Sequence, residues 1–203
     1  VLLATGASTL SEVDMAMSTL LRRTNDIVLM QCNTNYTASL ENFKYINLNV
    51  LKEYSRKYPD IILGLSDHTP GHATVLGAVT LGARVIEKHF TDDVSREGPD
   101  HKFSMDFNTW KSMVDRTREL ENSLGMEIKK VEDNEMETVV LQRRSIRLKK
   151  DMVAGDVIME DDLEFLRPCP EGALPPYELQ KVLGKKLTEN IKSGDYIKWT
   201  NIK

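Results

Sequence analysis

The sequence has little of what would tie it to a membrane, a nucleic acid or an oxidising compartment. No apolar run approaches the length of a membrane span, and no signal-peptide pattern opens the chain. Lys and Arg number 27 against 31 Asp and Glu, with both signs interspersed, so the basic footprint of a nucleic-acid binder is absent. The two cysteines, Cys32 and Cys169, fall in what read as separate domains and make a poor disulfide framework, so a reducing, cytoplasmic setting is expected. An initiator Met is also missing. Val1-Leu2-Leu3-Ala4-Thr5-Gly6 is already a strand ending in a turn, as expected of a fragment entered mid-fold. What is present, 203 residues that are 40% hydrophobic, suits one large soluble domain or two smaller ones.

Four apolar runs recur: Val1-Leu2-Leu3-Ala4, Ile27-Val28-Leu29-Met30, Ile61-Ile62-Leu63 and Val85-Ile86. They are continuous rather than alternating, which predicts parallel strands buried on both faces. Helical patterns lie between them. Thr9 to Glu12 fits a capping box ahead of a face made by Leu10, Val13, Met17, Leu20 and Leu21. Leu40, Phe43, Ile46, Val50, Leu51 and Tyr54 predict one helix up to Pro59, and a shorter helix is expected from Gly71 to Leu81, stopped by Gly82. Phe107, Trp110, Met113, Val114, Leu120 and Leu124 predict another, closed by Gly125. Four β-α units make half of an eight-stranded barrel or most of a doubly wound sheet. Polar residues stand at each strand's C-terminal end, at Thr5, at Gln31 to Tyr36, at Ser66 to His68 and at Glu87 to His89, and their expected convergence favours the barrel.

After Gly125 the composition shifts. Residues 1–126 form the β-α region, the charged residues 127–139 read as a linker or solvated helix, and residues 140–203 read as a small β-rich domain. The last of these holds a faint repeat: Gly155 to Leu163 can be laid on Gly194 to Ile202 at an offset of 39, each with a Gly-Asp turn, an apolar pair and a polar turn.

The stretch from Leu63 to His89 carries the chemistry. Alternation puts Ser66 and His68 on one strand face, and Glu87 and His89 likewise. On neighbouring strands both imidazoles reach one point, where a divalent ion would keep much of its coordination sphere open to water or substrate. Strand histidines also serve purely structural roles. Thr34 and Tyr36 share a face on the preceding segment, and the Gly98-Pro99-Asp100-His101 turn would aim Asp100 back over the strand ends, with a plain turn residue as the alternative. His72 and His101 read as incidental.

Ser66-Asp67-His68-Thr69, Glu87-Lys88-His89-Phe90, Gly98-Pro99-Asp100, Arg143-Arg144-Ser145 and Arg167-Pro168, in this order, resemble the bacterial sialic acid (N-acetylneuraminate) synthase family over nearly the whole chain. The resemblance implies the C-terminal half of a (β/α)8 TIM barrel, strands 5 to 8, followed by an antifreeze-like (SAF) domain. It implies condensation of phosphoenolpyruvate with an N-acylated hexosamine such as N-acetylmannosamine. By similarity His68 and His89 hold a divalent ion, Mn2+ first and Mg2+ second, that polarises the sugar aldehyde. Ser66 and Thr34 match phosphoenolpyruvate contacts, Tyr36 and Asp100 match sugar contacts, and Glu87 orients water or a ligand. Arg167 matches an arginine that reaches the partner subunit's site in a domain-swapped homodimer.

Two departures stand against the family pattern. Gln31 and Thr34 replace a His and an Asn around Cys32, which points toward precursors of legionaminic or pseudaminic acid as substrates. The strands that carry the family's phosphate-binding lysines and a further sugar-contacting glutamate are not in this sequence. Competing readings are a non-catalytic sugar-binding or assembly fragment, and a barrel aldolase or hydrolase using the same two histidines. The motifs of the small domain argue against the aldolase.

Overall fold

The four apolar runs become four strands in the computed structural model, which describes residues 1–203. These are β1 (Leu2–Ala4), β2 (Val28–Cys32), β3 (Ile62–Asp67) and β4 (Val85–Lys88). All pair in parallel, in the order β1-β2-β3-β4, with Leu29 opposite Leu63 and Leu65 opposite Ile86. Sequential order without a reversal is what consecutive barrel strands show, whereas a doubly wound sheet reverses at its switch point.

One face of this sheet is covered by helices. Leu29, Leu63 and Leu65 pack with Val13 and Met17 of α1 (Leu10–Leu21), Leu51 and Tyr54 of α2 (Val50–Lys57), Val75 and Val79 of α3 (Ala73–Thr80), and Met113 of α4 (Phe107–Leu124). The other face is open at its N-terminal end: Leu2 and Ile62, joined through Val28 in register, remain 59% and 51% exposed. Burial on both faces, expected from the continuous runs, is met along the rest of β2 and β3, where Met30, Cys32 and Ser66 on this second face are also buried, and fails only at the strand starts.

The capping box of α1 forms, with Thr9 N–H donating to Glu12 Oε2 at 2.7 Å. Gly82, at φ +102°, follows α3 in the left-handed region that stops a helix. The single helix expected from Leu40 to Tyr54 does not form. Its first half is a 3-10 segment, Leu40–Tyr45, and Asn47 has φ +50° before α2 begins. The side chains of Asn33 and Gln31 donate to the Tyr45 and Ile46 carbonyls, so those acceptors are taken from any continuing helix.

The chain divides into two compact units, Val1–Met126 and Glu127–Lys203. In the second, the charged stretch leads into α5 (Met136–Gln142), which runs across residue 140. Beyond it β5 (Ser145–Leu148) pairs antiparallel with β6 (Leu163–Leu166), and a short α6 (Leu179–Val182) follows.

The repeat is a structural dyad. Leu148 N–H donates to Asp195 O at 3.1 Å, and Leu187 N–H donates to Asp156 O at 2.9 Å, the same bond displaced by 39 in opposite directions. Met152 and Ile191 exchange reciprocal 3.0 Å bonds. Ile158 and Ile197 are fully buried equivalents, and Asp162 and Asn201 each fold back onto the start of a 3-10 turn, accepting from Met159 N–H at 3.0 Å and Lys198 N–H at 2.8 Å. Two half-sized motifs thereby share one core, which a unit this small needs.

The two cap positions differ in charge. Lys150, then the Met159 N–H, hold the Asp162 carboxyl below its ordinary value. A lowered folded-state pKa contributes stability that is present above the unfolded value and lost as pH falls through the folded one. Asp162→Ala and Asn201→Ala are each expected to cost about 1 kcal/mol at neutral pH. Only the Asp162 penalty should shrink under acid, as urea melts across pH will show.

Candidate active site

Parallel register sets the site. Ser66 lies opposite Glu87, and its hydroxyl donates to Glu87 Oε1 at 2.8 Å. Two residues on, past each strand's end, stand His68 and His89, with ring centroids 5.1 Å apart. His68 Nδ1 lies 2.8 Å from the Asn33 carbonyl oxygen. A carbonyl only accepts, so Nδ1 carries the proton and the Nε2 lone pair is left free, the arrangement found behind metal-ligating histidines. His89 Nδ1 is 3.6 Å from Asp100 Oδ2, too long for a hydrogen bond but close enough to set the carboxylate beside the ring.

Two aromatic rings enclose the pair. Tyr36 stands 4.2 Å from His68 and 5.7 Å from His89, and Phe103 stands 6.0 Å and 5.0 Å from the same rings. Phe103, only 2% exposed, was not singled out in the sequence because it follows the Pro99 turn in a segment without periodicity. The backbone carbonyl of Asn33 is equally silent in sequence.

Two imidazoles, one with its tautomer fixed, are of the kind that ligates a divalent ion, and the Asp100 carboxylate stands beside one of them. No group of three or more His, Cys, Asp or Glu side chains is gathered to enclose a metal. Imidazole nitrogens suit a transition metal better than Mg2+, and two of them would leave most of a coordination sphere open.

Cys32 lies opposite Ser66 in register. Burial pushes its thiol above the ordinary value, against which the Ser66 contact works. Thr34 sits farther along, beyond the end of β1: a side-chain carbon at Gly6 would come within 2.2 Å of the Thr34 methyl, so a larger residue there would displace Thr34. Thr34 lines an open cavity of about 800 Å³ with Ser8, Thr9, Asn33 and Asn35. Thr5 and Gln31 line the same cavity but do not converge on the histidines. Alternation turns them to the helix side, where the Thr5 hydroxyl donates to Met30 O at 2.9 Å and accepts from Tyr54, and Gln31 holds Ile46.

Asp67 and Lys88, also unsuspected, form a buried ion pair on that helix side, Lys88 Nζ to Asp67 Oδ2 at 2.6 Å. The sequence signal was the constant spacing of 21 that links Ser66 to Glu87, Asp67 to Lys88 and His68 to His89. His72 takes the N-cap position of α3 without a side-chain bond, and His101 Nδ1, 2.7 Å from Thr91 Oγ1, braces the turn that carries Asp100. Arg167 belongs to the second unit, exposed just past β6. The next carbonyl, of Pro168, accepts from Ser145 Oγ at 2.8 Å and from Arg147 at 2.9 Å, so the Arg-Arg-Ser and Arg-Pro motifs meet.

Consecutive parallel β-α units with a two-histidine cluster at their C-terminal ends define an α/β protein of the kind that places catalysis at strand ends. The chain belongs to the NeuB family, whose family model matches residues 1–129, and residues 143–203 match the SAF domain. The N,N'-diacetyllegionaminic acid synthase of Legionella pneumophila is 37% identical over 206 residues, covering 99% of this chain and 56% of that protein. A pseudaminic acid synthase of Campylobacter jejuni is 38% identical over 173 residues, 85% of this chain and 48% of that protein. Among solved structures, the N-acetylneuraminic acid (sialic acid) synthetase of Leptospira borgpetersenii, in complex with citrate, superposes with a TM-score of 0.59 at 28% identity, over 68% of this chain and 47% of that one. The chain thus spans about half the length of the curated relatives it matches.

Proposed function

We propose that the whole protein condenses phosphoenolpyruvate with an N-acylated hexosamine to give a nine-carbon 2-keto sugar acid and phosphate. The observation that carries this reading is the pair of facing imidazoles, one tethered through Nδ1 to Asn33, beside the Ser66–Glu87 hydrogen bond. In the reaction, carbon 3 of phosphoenolpyruvate bonds to the aldehyde carbon, water adds to the cationic carbon 2, and the tetrahedral adduct expels phosphate. A divalent ion, manganese before magnesium, supplies Lewis-acid stabilisation of the charge growing on the aldehyde oxygen when bound.

The remaining work belongs to the side chains. His68 and His89 hold the ion. Glu87, with one oxygen engaged by Ser66, keeps the other to orient the water that attacks carbon 2. Ser66 and Thr34 face phosphoenolpyruvate, Tyr36 and Asp100 contact the sugar, and Tyr36 and Phe103 shield the ring pair from bulk water. Closure of these strands into a (β/α)8 barrel, with an upstream half providing phosphate-binding lysines, is supported by the uncovered Leu2 and Ile62. Arg167 acts in the partner's site of a homodimer, on the sugar's N-acyl region. Thr34 in place of the family's asparagine, and the names of the two synthases above, support a legionaminic- or pseudaminic-type diacylated sugar over N-acetylmannosamine.

Full-length protein incubated with phosphoenolpyruvate, Mn2+ and a panel of N-acylated hexosamines should yield a nine-carbon acid by mass, with stoichiometric phosphate. Cleavage products in place of the acid would show an aldolase instead.

A further inference from the structure

The most deeply buried charges in the first unit are outside the site, and their placement ties them to it. Asp67 and Lys88 have side chains 0% and 1% exposed, and each immediately precedes one of the two histidines. Lys88 Nζ donates to Asp67 Oδ2 and to the Thr69 carbonyl, both at 2.6 Å. Asp67 Oδ1 accepts from Thr69 N–H at 3.1 Å, the Thr69 hydroxyl sits 2.9 Å and 3.0 Å from the two carboxylate oxygens, and the Thr74 hydroxyl of α3 donates to Oδ2 at 2.6 Å. The residues on both sides of His68 are therefore fastened to the residue before His89 and to α3.

A fully buried ion pair contributes little net stability, because desolvation offsets its Coulomb attraction. What this network supplies that apolar side chains would not is fixed direction. Ladder bonds end with the strands, and His68 and His89 lie just beyond them. We infer that Asp67, Lys88 and Thr69 are positioning residues, which clamp the ends of β3 and β4 from the helix side so that the imidazoles on the opposite face are preset at ligand spacing. The inference rests on the two-histidine reading of the site.

The test uses the full-length protein. Asp67→Leu/Lys88→Met replaces the pair by apolar groups and leaves no lone charge. Thr69→Val removes one hydroxyl at constant shape. Mn2+ affinity, measured by calorimetric titration, should fall about 10- to 100-fold in the double variant, as when outer partners of metal ligands are removed, and about 3-fold in Thr69→Val, the order of one neutral hydrogen bond. Crystal structures free of metal should show the His68 Nδ1 to Asn33 bond lost or the ring spacing widened in the double variant. Wild-type affinity together with unchanged ring geometry in a folded double variant would overturn the inference. If the double variant does not fold, Thr69→Val decides by the same two readouts. If wild type and His68→Ala bind Mn2+ equally poorly, the ion reading fails, and the ring geometry alone decides the positioning role.

Discussion

His68→Ala in the full-length protein should lower manganese-dependent turnover by on the order of 10²- to 10³-fold while leaving the fold intact. Lewis-acid stabilisation of a developing oxyanion is worth several kcal/mol, and each 1.36 kcal/mol is a factor of ten in rate. Beyond its packing against Tyr36 and Phe103, the ring's one hydrogen bond is to the Asn33 carbonyl, and Asn33 is partly open to water once the ring is gone. His89→Ala should cost a similar factor. The double variant should be scarcely worse than either single one, because the two act as a unit and such effects do not add. Steady-state phosphate release, with circular dichroism as the folding control, measures all three. Turnover within a factor of about three of wild type would exclude these histidines from the chemistry.

The largest effect on stability is expected from halving the buried pair. Lys88→Met leaves Asp67 charged in a dry site with hydroxyls and one N–H as its only partners. Stranding one member of a buried ion pair costs about 3–5 kcal/mol, whereas replacing both members by apolar groups is near neutral or stabilising. Urea unfolding should therefore rank Lys88→Met and Asp67→Leu well below wild type, with the double variant recovering most of the loss. Total stabilities are about 5–15 kcal/mol, so the single variants should populate unfolded chain under mild denaturant. Single variants within about 1 kcal/mol of wild type would mean that the pair is solvated.

Much of this architecture is written in local pattern. Val13 and Met17 recur at helical spacing and are buried, Gly155 and Gly194 mark equivalent turns of the dyad, and the alternation of Ser66 with His68 put two polar groups on one strand face. The same alternation turns Thr5 and Gln31, strand-end residues like the others, away from the histidines. Leu40, at helical spacing with Phe43, ends up 74% exposed, because the carbonyls needed to extend its helix are claimed by side chains from the loop after β2 and from β2 itself. Phe103 and the Asn33 carbonyl reach the histidines through loop geometry, which no periodicity encodes. Asp67 and Lys88 lie inside the Ser66-to-Thr69 and Glu87-to-Phe90 motifs, but a charge on the helix-facing side of a strand reads as ordinary until register shows its partner.

The proposed chemistry depends on an ion held by His68 and His89. Electron spin echo of the full-length protein loaded with one equivalent of Mn2+ reports directly on nitrogens bound to the ion. Modulation from imidazole nitrogens, reduced in His68→Ala and again in His89→Ala, is the predicted result. A manganese signal without nitrogen coupling, or one unchanged by both substitutions, would contradict it.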